Sequence, residues 1–431
     1  MADSFNVKML QPDAEGPTLD GAKLRWDLLH PSDGWSLRDA IAWLVTEGRL
    51  ESSLGSLTGG FGEVLRNGGA PIGRIRITTL TLHPLVTAWG AEWHVQKGRE
   101  EQDFLAANQV NSAYIGSPIQ IMRETGKPYR QNLEADLTLE HHALFHELKA
   151  DGMTDYYALF LMGESGPSGI ASFSADRPGG FAEVDIEKLE TLALFLAPAV
   201  DAINKRRIAA TLLDTYIGHR AGGRVLAGHI HRGDSEHIRA AFWYSDLRDF
   251  TGLNEELEPG QMIDTLNTYF GAVGQEIMSR GGEVLQFIGD AVLAIFECAP
   301  EEGDTRRACE AAFDAAQAAL VKIGEKNRER REAMLPEIRF GIGLHVGDVT
   351  FGNVGAEARL GFNVIGPAVN MTARLESLSK RALVPLLMSS TFAAFVDRAL
   401  WPVGTFELRG VREMQEVYTA ADLVGGEVMS G

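Results

Sequence analysis

Apolar residues recur along this chain at two periods, and those periods separate helices from strands. From Ser36, SLRDAIAWLVTEGRL spaces Leu37, Ile41, Leu44 and Val45 as one buried helical face. GRIRITTLTLHP alternates and is rich in β-branched residues, which predicts a strand. TAWGAEWHVQKG predicts a second strand after a turn. YYALFLMGE and SGIASFSAD predict a strand pair joined by a Gly-rich turn, followed by the amphipathic helix DIEKLETLALFLAPAVDAINKRRIAA. Residues 212–236 mix a short helical pattern with Gly-rich turns and read as a connector. Beyond them the order is strand, helix, strand, strand, helix, strand. AAFWYSDL is the first strand, GQMIDTLNTYFGAVGQEIMSRGG a helix, and EVLQFIGDAVLAIF a hairpin turning at residues 288–290. The Ala-rich helix DTRRACEAAFDAAQAALVKIGEKNRER takes Asp304 as its N-cap, and IRFGIGLHVGDVTFGNVG reads as a strand plus turn. PAVNMTARLESLSK is a helix with Pro367 in its first turn. This alternation implies a sheet flanked by helices.

A length of 431 residues exceeds what one compact domain usually holds, and the pattern divides accordingly. Residues 1–34 read as a tail, 35–205 as one α+β domain, 206–236 as the connector and 237–425 as a second domain. The formal net charge of -19 argues against nucleic acid and anionic membranes as partners. Only Cys298 and Cys309 are present, so a disulfide framework is not expected and a reducing compartment fits. The first residues lack a basic region followed by an apolar core, and the longest apolar stretch, 192–200, is interrupted by Pro198. A cytoplasmic protein without a membrane partner is the expectation.

Two aspartates carry the candidate chemistry. Asp246 ends an apolar strand, and Asp290 sits in a tight Gly-Asp turn between two apolar strands. Strand-borne carboxylates converging on one point suit a pair of hard divalent cations acting on phosphate oxygens. Taken alone, Gly-Asp is ordinary hairpin chemistry. His142 and His146 have helical spacing but no matching further ligands, so they read as a surface helix face. Trp89 and Trp93 read as core, and His345 as structural.

The setting of the aspartates resembles a known family. FWYSDLRDFTGL and GGEVLQFIGDAVLAIF resemble the two metal motifs of class III adenylate and guanylate cyclases. RFGIGLHVGDVTFGNVG, FNVIGPAVNMTARLE and VGTFELRGV resemble the motifs that follow them, in family order. The resemblance implies a ferredoxin-like (βαββαβ) catalytic domain of α+β class. It implies two Mg2+ or Mn2+ ions per site, held by Asp246, Asp290 and the backbone carbonyl of Leu247. Phe250 and Thr251 match the turn whose N–H groups cradle the triphosphate, Asn370 the ribose-positioning asparagine, and Arg374 the arginine binding phosphate oxygens in the transition state. Arg409 stands where a basic residue for the terminal phosphates is common. Asn370 and Arg374, four residues apart, share a helix face. The family's site lies between two catalytic domains, so one domain per chain implies a homodimer with two sites. The elements of residues 35–205 resemble a GAF-type sensor domain, best over 156–204, whose ligand or regulatory protein the sequence does not specify.

The base-reading positions depart from the family. Where adenylate cyclases usually carry lysine and an aspartate or threonine, this chain has Gln286 and Asn363. A glutamine amide can donate to adenine N1 and an asparagine carbonyl can accept from its amino group, but flipped amides can read guanine. ATP is the expected substrate and cyclic AMP the product. A guanylate or dual-specificity cyclase, or a nucleotide-binding module without catalysis, are the alternatives. Asp249 stands where glycine is common.

Overall fold

A computed structural model describes residues 34–80, 86–105, 114–164, 166–298, 304–356 and 359–424. Residues 1–33 of the expected tail lie outside them. The chain divides into two compact units, Met1–Leu212 and Leu213–Gly431.

The first unit holds α1 (Leu37–Thr46), α2 (Leu54–Asn67), β1 (Arg74–Leu80), β2 (Val86–His94), β3 (Gly98–Leu105), α3 (Pro118–Thr125), β4 (Tyr129–Asn132), α4 (Ala143–Ala150), β5 (Asp155–Gly163), β6 (Gly166–Ala175) and most of α5 (Glu183–Ile217). Ser36 caps α1 by accepting from the Arg38 N–H, and Ser53 and Ser56 form a capping box at α2. The six strands form one antiparallel sheet in the order β3-β2-β1-β6-β5-β4. Alternation sorts its faces: Ile75, Ile77, Leu159 and Phe173 pack with α1, α2 and α5, whereas Tyr156, Ala158 and Ile170 pack with Met122 of α3 and Phe145 and Leu148 of α4. Trp89 and Trp93 are buried, as expected. α2, β3, α3 and β4 were not anticipated. α2 is masked by four glycines, Gly55, Gly59, Gly60 and Gly62, which lower helix propensity. A Cβ at Gly62 would lie 2.8 Å from Trp93 Cγ, so close packing against β2 accounts for that one.

After the end of α5, the second unit holds α6 (His219–Leu226), within the stretch read as a short helical pattern mixed with Gly-rich turns. It continues through β7 (Ser235–Leu247), α7 (Phe250–Glu256), α8 (Pro259–Met278), β8 (Glu283–Ile288), β9 (Ala291–Glu297), α9 (Asp304–Glu332), β10 (Phe340–Ala356), β11 (Arg359–Ile365), α10 (Pro367–Ala382), β12 (Leu386–Ser389), α11 (Ser390–Ala393), β13 (Leu400–Phe406) and β14 (Gln415–Ala420). Arg220 fastens α6 to the sheet by pairing with Glu236 of β7, at 2.7 Å, and with Glu297 of β9. The strand order is β13-β14-β12-β10-β7-β9-β8, with β11 paired to β10. Its β10-β7-β9-β8 portion is antiparallel and realises the anticipated βαββαβ succession.

Two local expectations are corrected. Asp304 is the first residue of α9 rather than a described cap. The expected strand plus turn is one uninterrupted strand of 17 residues, held by antiparallel pairing with the whole of β7. Its glycines serve packing instead. Phe340, Ile342, Leu344 and Val346 join the core under α8 and α9, while Gly341, Gly343 and Gly347 line the opposite face beneath α10. A Cβ on Gly343 would lie 2.6 Å from the Glu376 nitrogen, and one on Gly347 would lie 2.9 Å from Ala368 Cβ. Side chains there would lift α10 off the sheet.

Candidate active site

Asp246 occupies the last turn of register on β7, between Gly341 of β10 and Ala291 of β9. Ser245, one residue earlier, points into the opposite core, where its hydroxyl is met by Trp243 Nε1 at 3.0 Å and Tyr269 Oη at 2.8 Å. That buried network pins the strand, so alternation delivers Asp246 to the α10 face. Asp290 follows Gly289, whose φ of +65° makes the β8–β9 turn that glycine tolerates best. The two carboxylates come within hydrogen-bonding reach of each other. Burial, and then the charge of Asp246, push the Asp290 carboxyl up to about 6.

Two carboxylates forced together share a proton or a cation. Hard oxygen donors held this close together fit a divalent ion. Among the described residues no group of three or more His, Cys, Asp and Glu is poised to hold a metal. Further ligands would therefore come from backbone, water and substrate. Leu247 has its side chain in the core, so only its carbonyl is eligible.

Sequence reasoning missed two neighbours. Lys380 of α10 places Nζ 3.5 Å from Asp246 Oδ2. Glu376, one turn earlier and 1% exposed, is pushed up to about 7, chiefly by burial, and its Oε1 has no hydrogen-bond partner. Its carboxyl lies over Gly341, the cross-strand partner of Asp246: a Cβ there would be 2.7 Å from Glu376 Oε1 and 3.1 Å from Arg248 Nη2. The GIG pattern in β10 was the available signal.

Phe250 and Thr251 open α7, whose cap is Asp249, so Thr251 does not cap the helix. Asp249 adopts φ 57°, ψ 39°, a left-handed conformation, which explains why glycine suits this position. Phe250 packs on the core, and Thr251 is exposed. Asn370 is exposed and Arg374 half-buried on α10. At about 100° per residue, Arg374 is turned roughly 200° from Glu376. It therefore does not pair with that residue, and it does not face Asp246 of its own chain. Its guanidinium instead lies beside the turn after β13, where a Cβ on Gly410 would be 3.3 Å from Nη2, next to exposed Arg409. Gln286 follows a β-bulge in β8 and is exposed. Asn363 of β11 pairs with Gly352, between Phe362 and Val364, which share an apolar cluster with Leu285. One chain thus brings the aspartates together, while Arg374 lies on another side of α10.

His345 is structural: its Nδ1 lies 2.7 Å from Ser389 Oγ, and burial pulls its pKa down to about 4. His142 caps α4 by accepting from the Leu144 N–H. No helix among the described residues is long and apolar enough to cross a membrane.

Residues 234–420 match the family model described as the adenylate and guanylate cyclase catalytic domain. An adenylate cyclase of Anabaena cylindrica is 35% identical over 153 residues, covering 36% of this chain and 30% of that protein. Adenylate cyclase 1 of Rhizobium meliloti (strain 1021) is 28% identical over 226 residues, covering 52% and 34%. The matched stretches span about a third of the length of these relatives. The solved structure of a bacterial light-regulated adenylyl cyclase is 24% identical, with 53% of this chain and 66% of that chain covered and a TM-score of 0.46. Residues 234–420 therefore carry the sequence pattern of the adenylate and guanylate cyclase catalytic domain.

Proposed function

We propose that residues 237–425 convert ATP to 3′,5′-cyclic AMP and pyrophosphate, the ribose 3′-oxygen attacking the α-phosphorus. The observation that carries this reading is the meeting of Asp246 and Asp290 at adjacent strand ends inside a cyclase-family domain. Mg2+ or Mn2+ held by Asp246, Asp290 and the Leu247 carbonyl would supply acidification of the 3′-hydroxyl and charge neutralisation. The first N–H groups of α7, at Phe250 and Thr251, lack intrahelical acceptors and would bind triphosphate oxygens. Arg409 would take the terminal phosphates. Asn370 would orient the ribose, and Arg374 would stabilise charge developing on the phosphate.

Because α10 turns Arg374 to another side from Glu376 and Lys380, we assign Arg374, and Asn370 one turn before it, to the aspartates of a second copy, in a homodimer with two sites. Exposed Phe287 and Ile288 beside Asp290, and exposed Leu360 and Ile365 on β11, support burial of this region between copies. Gln286 and Asn363 would read the base. Residues 35–205 are proposed as a GAF-like regulatory domain for an unidentified ligand or regulatory protein, a reading supported by the six-stranded antiparallel sheet with helices on both faces. Residues 206–236 would connect the two.

The test is product analysis with purified full-length protein, ATP or GTP, and Mg2+ or Mn2+. Cyclic AMP in excess is expected. Cyclic GMP in excess would favour the second reading, a guanylate or dual-specificity enzyme, which the two neutral amides Gln286 and Asn363 make chemically reasonable. No turnover of either nucleotide would overturn the enzyme assignment in favour of a binding module.

A further inference from the structure

The α10 face over Asp246 carries more charge chemistry than the reaction requires. Lys380 Nζ stands 3.5 Å from Asp246 Oδ2, on a side chain that is 45% exposed and free to swing on its four-carbon stem. Glu376 precedes it by four residues, so both project from one face, with the acid on the N-terminal side where such pairs are most favourable. Among the described residues, buried Glu376 Oε1 has no hydrogen-bond partner, and the other oxygen has only the Ser377 hydroxyl at 3.5 Å. Arg248 lends Glu376 some favourable charge but no hydrogen bond, its Nη2 being taken by Ser379 Oγ at 2.9 Å and the Val384 carbonyl at 3.4 Å. One ammonium therefore serves Asp246 while an acid one helical turn away lacks a partner. A buried acceptor left in that condition is costly, and an incoming cation would satisfy it.

We propose that Lys380 is a built-in counter-ion for Asp246 that a divalent cation displaces, and that Glu376 receives the displaced ammonium. The proposal rests on the reading of Asp246 as a metal ligand. In the metal-free state the lysine offsets repulsion between Asp246 and Asp290. When a divalent ion takes over that task, the ammonium would face a second cation, and rotation of its stem onto Glu376 removes the conflict. Lys380 and Glu376 thereby set metal affinity as positioning residues, without touching substrate.

The experiment is a titration of the full-length protein with Mn2+ in saturating 3′-deoxy-ATP, which lacks the attacking hydroxyl, with free Mn2+ read by electron paramagnetic resonance. Lys380→Met should tighten Mn2+ binding by about fivefold, the size expected for losing a partly screened competing charge. Glu376→Gln should weaken it by a similar factor. In the double variant the Glu376→Gln loss should vanish, because no ammonium remains to be received. Unchanged affinity in Lys380→Met, or an undiminished Glu376→Gln loss in the double variant, would overturn the proposal. Asp246→Asn separates the two layers. If it leaves Mn2+ binding unchanged, the metal reading and the proposal both fall. If it abolishes binding while Lys380→Met behaves as wild type, only the proposal falls. Matching thermal midpoints among the variants establish that the differences come from the site.

Discussion

Both units bury carboxylates against a sheet, but they treat them differently. In the first unit, Asp155 Oδ2 accepts from Arg130 at 2.9 Å and from the Phe181 N–H at 3.1 Å, while Oδ1 accepts from the Tyr156 N–H. Asp185 accepts from Trp35 Nε1, Arg177 and the Ala182 N–H. In the second unit, Asp246 and Asp290 face each other, and Glu376 keeps one oxygen unpartnered. A fully satisfied buried acid tethers chain segments. An under-compensated one is free energy withheld from folding, and it marks a place where a ligand completes the structure.

The strongest way to break this contrast is to remove one acid of each kind. Asp246→Ala should lower cyclic nucleotide formation by roughly a thousandfold or more while leaving the circular dichroism spectrum intact. A catalytically competent variant would place Asp246 with the structural acids. Asp155→Ala should do the reverse by stranding donors that were built around it. A loss of roughly 3 kcal/mol is expected in urea unfolding of the first unit.

A titration sharpens the comparison from the side of a satisfied group. His345 is held neutral, its pKa pulled down to about 4 from an ordinary 6.5. As pH falls through 6.5 the unfolded chain takes up a proton that the folded chain refuses until about pH 4. Stability is therefore complete above pH 6.5 and is lost progressively between 6.5 and 4, by at most about 3 kcal/mol. Melting temperatures across that range, with His345→Gln as the flat control, measure it. The smallest effect concerns backbone strain beside the site. Asp249→Gly should raise stability by about 1 kcal/mol, seen as a higher melting midpoint, because glycine adopts a φ of 57° without penalty. An unchanged midpoint would mean that the Asp249 side chain repays its conformation.

Legibility followed the range of the interactions. The α1 start at Ser36, the strand pair before α5, the hairpin turning at Asp290 and the Pro367 helix start are all written in residues close in sequence, so periodicity and capping revealed them. The helix α2 and the length of β10 were not legible, because their glycines look like breakers until the partner that needs the space is known. The departure at Asp249 was visible as a residue type, and its cause emerged only as a backbone angle.

The same division applies to the site. The sequence alone determined that Asp246 and Asp290 end apolar strands and that Asn370 and Arg374 share a helical face, since strand alternation and helical period are local rules. Only the tertiary structure decided that the two aspartates meet, that α10 settles on the glycine row of β10 to carry Lys380 and Glu376 over them, and that this turns Arg374 elsewhere. Those outcomes depend on strand register and on how closely a helix can approach a sheet, which are set by contacts between residues from about 30 to more than 130 positions apart.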